Sequence, residues 1–302
     1  QYLLFPTFPS LLFPQFHYTT HNNILQEKCP FQTKKYFLII GIPSDLCYSI
    51  EKQRTDVIIM KKALVTGGSR GIGFAIAKAL ADDGCTVAIT GRNAAGTEEA
   101  AEKINGNVIP VVWDVSRLDI AGEKISEISE ILGGLDIVVN NAGIFAQRNE
   151  WDKSELLKTN SAEWLSVMNT NTSALFFIMQ AAVNHMLTHG IKGNILNITS
   201  VAGEEPVYGA YGASKIAATG LTRGWGRMFA ADGITINGIA PGPVATAMNN
   251  WHEGDPMEHD RIPFGRFSAA EEIAKLAMYL LSEDAKMICG ETVIIDGGYS
   301  IR

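Results

Sequence analysis

The chain has 302 residues, of which 46% are hydrophobic and 19% charged, with a formal net charge of −7. That acidic balance carries no basic block, which argues against a nucleic-acid partner. The four cysteines (Cys29, Cys47, Cys85 and Cys289) form no CxxC pair. No metal site is expected, and Cys85 and Cys289, beside predicted strands, read as buried free thiols of a reducing, cytoplasmic compartment.

Residues 1–59 carry Phe5-Pro6, Phe8-Pro9 and Phe13-Pro14 and show no sustained period. They read as an N-terminal extension outside the fold. A targeting leader is the rival reading, but the opening stretch lacks a basic n-region and its prolines break the apolar run. Tyr36 to Ile42 is apolar yet far too short to span a bilayer, so no membrane partner is expected. Residues 60–302 are long enough for one α/β domain.

Within that domain the elements alternate. Ala63–Thr66, Thr86–Thr90, Val108–Val112, Ile137–Asn140, Asn194–Ile198, Thr235–Ile239 and Val293–Ile295 are short runs rich in Val, Ile and Leu. Continuous apolar character suits strands buried on both faces. Helical patterns between them end at glycines, as in Ile72–Asp83 before Gly84 and Ala213–Asp232 before Gly233. Ser268 with Glu271 reads as a capping box for a helix running through Leu281. The pattern predicts an α/β, doubly wound Rossmann fold: a seven-stranded parallel sheet with helices on both faces.

The turn after the first strand is TGGSRGIG, Thr66 to Gly73. Gly67, Gly71 and Gly73 permit a tight turn and close backbone approach to a phosphate, with Ser69, Arg70 and Ile72 between them. The following helix offers its free N–H groups and positive dipole end. An acidic residue at the end of the second strand would bind the adenosine ribose of NAD. Here Gly91 stands there, followed by Arg92. Arg70 and Arg92 suit the 2′-phosphate of NADP(H), although both can also be read as surface arginines. Asn140-Asn141-Ala142-Gly143 closes the fourth strand at the carboxyl edge, where ligands bind in such sheets, or supplies local turn chemistry.

Further on, Tyr211 and Lys215 in YGASK stand at i and i+4, on one face of the helix they open. A free phenol, with a pKa of about 10, is a poor proton shuttle at neutral pH. A nearby ammonium is expected to lower that value.

The glycine turn, the Asn-Asn-Ala-Gly run, Ser200 in NITS and YGASK occur in the order that resembles the short-chain dehydrogenase/reductase family, in its single-domain branch. The resemblance runs from Lys61 to about the C-terminus. It implies a ketone–alcohol oxidoreductase in which Tyr211 gives its proton to the carbonyl oxygen, Ser200 hydrogen-bonds that oxygen and Lys215 holds the nicotinamide ribose. Asn171, by its spacing from Trp164, matches the residue anchoring a water beside the lysine; Asn169 is a nearby decoy. A basic residue at Arg70 or Arg92 marks NADP users. Asp114 and Val115 would meet the adenine, Asp114 being otherwise a helix cap. Asn141, Ala142, Gly143, Pro241, Gly242, Val244 and Thr246 would line the cofactor.

The Ser200–Tyr211 loop is shorter than in many relatives, which predicts a reshaped substrate pocket with Thr199 as a fallback hydroxyl. The segment Met248 to Phe264 reads as a mobile lid, with Trp251 and Met257 as pocket walls or as ordinary packing. Relatives form tetramers through the helices carrying Asn171 and Tyr211, and Leu175-Phe176-Phe177-Ile178 suits such a face or the core. Asp232, Ile191 and the acidic lid lack the basic docking residues of a 3-oxoacyl-acyl-carrier-protein reductase. A small neutral carbonyl, a sugar or polyol among them, is therefore favoured. The acyl reductase and a non-catalytic NADP-binding module stand as alternatives.

Overall fold

The computed structural model describes residues 60–146, 149–150, 152–206 and 208–301. The expectation for residues 1–59 lies outside them. Each apolar run becomes a strand: β1 Lys62–Val65, β2 Thr86–Gly91, β3 Val108–Val112, β4 Ile137–Asn140, β5 Asn194–Ile198, β6 Thr235–Pro241 and β7 Thr292–Ile295. All pair in parallel, in the order β3-β2-β1-β4-β5-β6-β7. The seven-stranded parallel fold is as the sequence predicts, with boundaries shifted by a residue or two.

The helices between strands are α1 Gly71–Asp82, α2 Ala94–Lys103, α3 Ala121–Leu132, α4 Lys153–Leu156, α5 Ser161–Met168, α6 Ala174–His189, α7 Ala210–Phe229 and α8 Ala270–Leu280. Side chains alternate along each strand, so β1 sends Leu64 to one face and Ala63 and Val65 to the other. One face packs on α1 and α8 through Ile76, Leu80, Ile273 and Ala277. The other packs on α3, α6 and α7 through Ile125, Ile128, Ile178, Met186 and Ala218. The Ile, Leu and Met side chains among these, fully buried, contribute about 1.5–3 kcal/mol each. Cys85 is buried and Cys289 half-buried, and both are free thiols. Burial pushes the Cys85 thiol up.

Two local expectations change. Ser268 does not cap α8. Its backbone is taken by the loop after β6, donating to the Pro243 carbonyl at 3.1 Å and accepting from Ala245 N–H at 2.9 Å. The helix therefore starts one residue later, and Glu272 reaches back to accept from Ala269 N–H at 2.8 Å. Arg266 grips the same carboxylate at 2.8 and 2.9 Å and pulls its pKa down to about 2. The run Leu175-Phe176-Phe177-Ile178 also divides. Leu175 and Ile178 enter the core, whereas Phe177 is 38% exposed and Phe176 stacks edge-on with Trp225. Among the described residues, no helix is long and apolar enough to cross a membrane.

Candidate active site

The strand order reverses between β1 and β4, so the loops leaving their carboxyl ends diverge and open a crevice. A cleft of about 380 Å³ lies there, running from Arg70 and Arg92 at one end to Tyr211, Met248 and Tyr299 at the other.

The glycine turn forms its floor. Gly67 and Gly71 have φ of +64° and +56°, values that L side chains rarely adopt. Gly73 is required by space, since a Cβ there would strike the Gly67 carbonyl and Asn141 Nδ2. The Asn141 side chain clamps the turn, donating to the Thr66 and Gly67 carbonyls at 2.9 and 3.1 Å. Thr66 Oγ1 accepts from the N–H groups of Asn141 and Ala142 at 3.0 and 3.1 Å. Asn140 turns inward instead, donating to Asn197 Oδ1 at 2.9 Å.

A phosphate-bearing dinucleotide fits this cradle. The N-cap of α1, Arg70, makes no side-chain cap bond, and no acidic residue stands in the first turn, so the helix N–H groups face the cleft without a competing anion. Gly91 lies where an NAD-type carboxylate would stand, and a Cβ there would run into Thr97 Oγ1. Arg70 and Arg92 are exposed and line the cleft, and their side chains have no hydrogen-bond or ion-pair partner among the described residues. Asp114 Oδ1 accepts from Ser116 N–H and Oγ at 3.0 and 2.8 Å, so its turn-capping reading is realised while it also borders the cleft with Val115. Ser69, Ile72, Ala142, Gly143, Pro241, Gly242, Val244 and Thr246 line the same space.

At the far end, α7 brings Tyr211 and Lys215 to one buried face, 8% and 6% exposed. Lys215 Nζ donates to the Ile198 carbonyl at 3.0 Å and stands 5.7 Å from the centre of the Tyr211 ring. Burial pulls the Lys215 ammonium down to about 8. The expected lowering of the phenol is overturned. Burial pushes Tyr211 up to about 12 and the Glu150 carboxylate adds to it, against an opposing hydrogen bond with Ser200. Desolvation of the phenolate thus outweighs the nearby ammonium. Ser200 also accepts from Ala202 N–H at 3.1 Å. Thr199 is not an alternative, because its hydroxyl faces the sheet and donates to the Ile239 carbonyl at 2.9 Å.

Asn171 lies in a π-helical turn, residues 169–173, between α5 and α6. Its Oδ1 accepts from Ile144 N–H at 2.9 Å, and its Nδ2 donates to the Ile144 carbonyl and Ser214 Oγ at 2.9 and 3.1 Å. Ser214 Oγ in turn donates to the Tyr211 carbonyl at 2.6 Å. Asn171 therefore ties the segment after β4 to the helix carrying Tyr211.

The substrate end differs from expectation. Trp251 turns onto its own loop, donating to the Pro256 carbonyl at 3.2 Å, and neither it nor Met257 reaches the cleft. Phe145, Ala202, Glu205, Met248 and Tyr299 form the wall, with the Phe145 ring 4.4 Å from that of Tyr211. Met248 is the first residue of the expected lid, but Phe145, Ala202, Glu205, Tyr299 and Glu150 escape the sequence reading because they lie in connecting segments with no sustained period. Only the shortened Ser200–Tyr211 loop pointed towards Ala202 and Glu205.

Residues 67–300 match the family model described as enoyl-(acyl carrier protein) reductase. The gluconate 5-dehydrogenase of Gluconobacter oxydans is 36% identical over 249 residues, 80% of this chain and 94% of its own. A 3-oxoacyl-acyl-carrier-protein reductase of Chlamydia trachomatis is 33% identical over 257 residues, 80% and 98% of the two chains. A short-chain type dehydrogenase/reductase from Mycobacterium marinum superposes with a TM-score of 0.73 at 30% identity, covering 80% of this chain and 96% of that one. The chain belongs to the short-chain dehydrogenase/reductase family of oxidoreductases.

Proposed function

We propose that this chain interconverts a small neutral ketone and its secondary alcohol with NADP(H), in the cytoplasm, with Tyr211 as the proton donor. One observation carries the reading: a buried Tyr211, beside Lys215 and sharing the cleft with Ser200, ends the same cleft whose other end is the glycine turn with its two unpaired arginines. Gly67, Gly71, Gly73 and the start of α1 would hold the pyrophosphate, Arg70 and Arg92 the 2′-phosphate, and Lys215 the ribose beside the nicotinamide. The bound nicotinamide supplies the hydride. Tyr211 transfers its phenolic proton to the carbonyl oxygen, and Ser200 hydrogen-bonds that oxygen as charge grows on it. The Lys215 ammonium favours the phenolate left behind.

A wall of Phe145, Ala202, Met248 and Tyr299 with one carboxylate, Glu205, suits a compact, hydroxyl-bearing neutral substrate better than an anionic one. The 36% identical relative is named for gluconate oxidation, which fits a polyhydroxy substrate. The second reading, a 3-oxoacyl-acyl-carrier-protein reductase, is favoured by the relative of that name. NADPH oxidation across keto-sugars, simple ketones and acetoacetyl thioesters separates the two. Tyr211→Phe is expected to lower turnover about 10²–10⁴-fold with NADPH affinity retained. Activity surviving in that variant would rule out the mechanism, and NADPH binding without turnover on any carbonyl would identify a non-catalytic module.

A further inference from the structure

Glu150 is a buried carboxylate beside the candidate site. It follows β4 in a loop, yet it is only 7% exposed. Among the described residues its carboxylate has no cation beside it and a single hydrogen-bond partner. That partner is the backbone N–H of Tyr211, 3.2 Å from each oxygen and 61 residues along the chain. Burying a carboxylate without a cation is unfavourable unless something specific compensates it. Here the compensation is the amino end of α7, with its free N–H groups and positive dipole end.

The helix has nothing of its own to put there. Its N-cap is Gly209, which has no side chain, and its first turn contains no acidic residue. A Cβ at 209 would overlap Glu150 Cδ and Oε1, so any larger residue there displaces the carboxylate. The same segment after β4 lays Phe145 against the Tyr211 ring and is fastened by Asn171 through Ile144. Tyr211 is thus held by one stretch of chain at its ring and at its backbone.

We propose that Glu150 is a positioning residue for Tyr211, capping α7 from across the fold and setting a negative charge at the end of the helix that carries the phenol. The inference rests on Tyr211 being the proton donor. The charged groups near Tyr211 are Lys215 from α7, 5.7 Å from the ring centre, and Glu150 from the segment after β4, and Glu205 lines the same cleft from the turn after β5. Ser200, Met248, Asn249 and Phe145 line that cleft without charge. Burial is the main cause that keeps the phenol protonated, and the Glu150 charge acts in the same direction, against Ser200.

The test is the pH dependence of kcat/KM for oxidation, by NADP⁺, of the alcohol corresponding to the best ketone of the panel. Oxidation needs the phenolate, so activity rises with pH as Tyr211 ionises. Glu150→Gln keeps a cap acceptor and removes the charge. Its rising limb is expected to move down by roughly half a unit, giving about threefold more activity below the limb. Gly209→Ala keeps the charge and displaces the cap, and is expected to lower kcat with little change in the KM for NADP⁺. A Glu150→Gln profile superimposable on the wild type would overturn the inference, while an inactive Tyr211→Phe leaves the proton-donor reading standing. Turnover retained by Tyr211→Phe, or none with any substrate, would remove that reading and this inference with it.

Discussion

Burial acts on Tyr211 and Lys215 in opposite chemical senses but with one result: each is held towards its neutral form. Lys215 titrates near 8 when folded against an ordinary 10.5, so between those values the unfolded chain binds more protons and stability rises with pH. The penalty is full below about 8, where it amounts to roughly 3 kcal/mol. Tyr211 behaves conversely: neutral up to about 12, it loses stability as pH climbs from 10 to 12. Lys215→Met is therefore expected to flatten the rise in thermal stability between about pH 8 and 10, measured by denaturation scans across that range without cofactor. At the other end of the cleft, Arg92→Glu is expected to raise the KM for NADPH about ten- to a hundredfold, the 1.5–3 kcal/mol of a charged hydrogen bond. The KM for NADH should change far less, and equal effects on both would sink the NADP assignment. The identities of these residues were legible in the sequence, but the direction of the phenol's shift was not. The sequence places an ammonium near the phenol and says nothing of how much water the fold removes from it.

Among the elements, the glycine turn and α1 were readable because their chemistry is local. Glycines at fixed spacing between a strand and an amphipathic helix have few physical uses. Gly73→Ala is expected to displace Asn141 and the Gly67 carbonyl, weakening NADPH binding and costing about 1–3 kcal/mol, to be checked by fluorescence titration and a thermal melt. The helix α7 was recognised around Tyr211 and Lys215, but its cap was not, because that comes from Glu150 in another segment. The π-turn around Asn171 is equally invisible in sequence. Its extra residue is stabilised by bonds to Ile144 and Ser214, distant partners that no periodicity encodes. The sequence left Trp251 open between pocket wall and ordinary packing for the same reason. An aromatic residue in a loop has no pattern to say which way it faces, and this one is bonded to its own turn.

For the molecule as a whole, the exposed Phe177 beside Phe176, Trp225 and Phe229 on α6 and α7 is the surface on which the expected homotetramer would assemble. Sedimentation velocity is expected to show a tetramer that Phe177→Glu breaks into smaller species with its secondary structure intact. A monomeric wild type would discard this assembly. By itself the sequence determined the parallel sheet, the order of its motifs and the residue types of the proton-transfer group, because strand burial, helix periodicity and glycine turns act over a few neighbours. Only the tertiary structure decided the cap on α7, the wall of the cleft and the titration of Tyr211 and Lys215. Those depend on which distant segments meet and on the solvent they exclude, and neither quantity is written in any short stretch of chain.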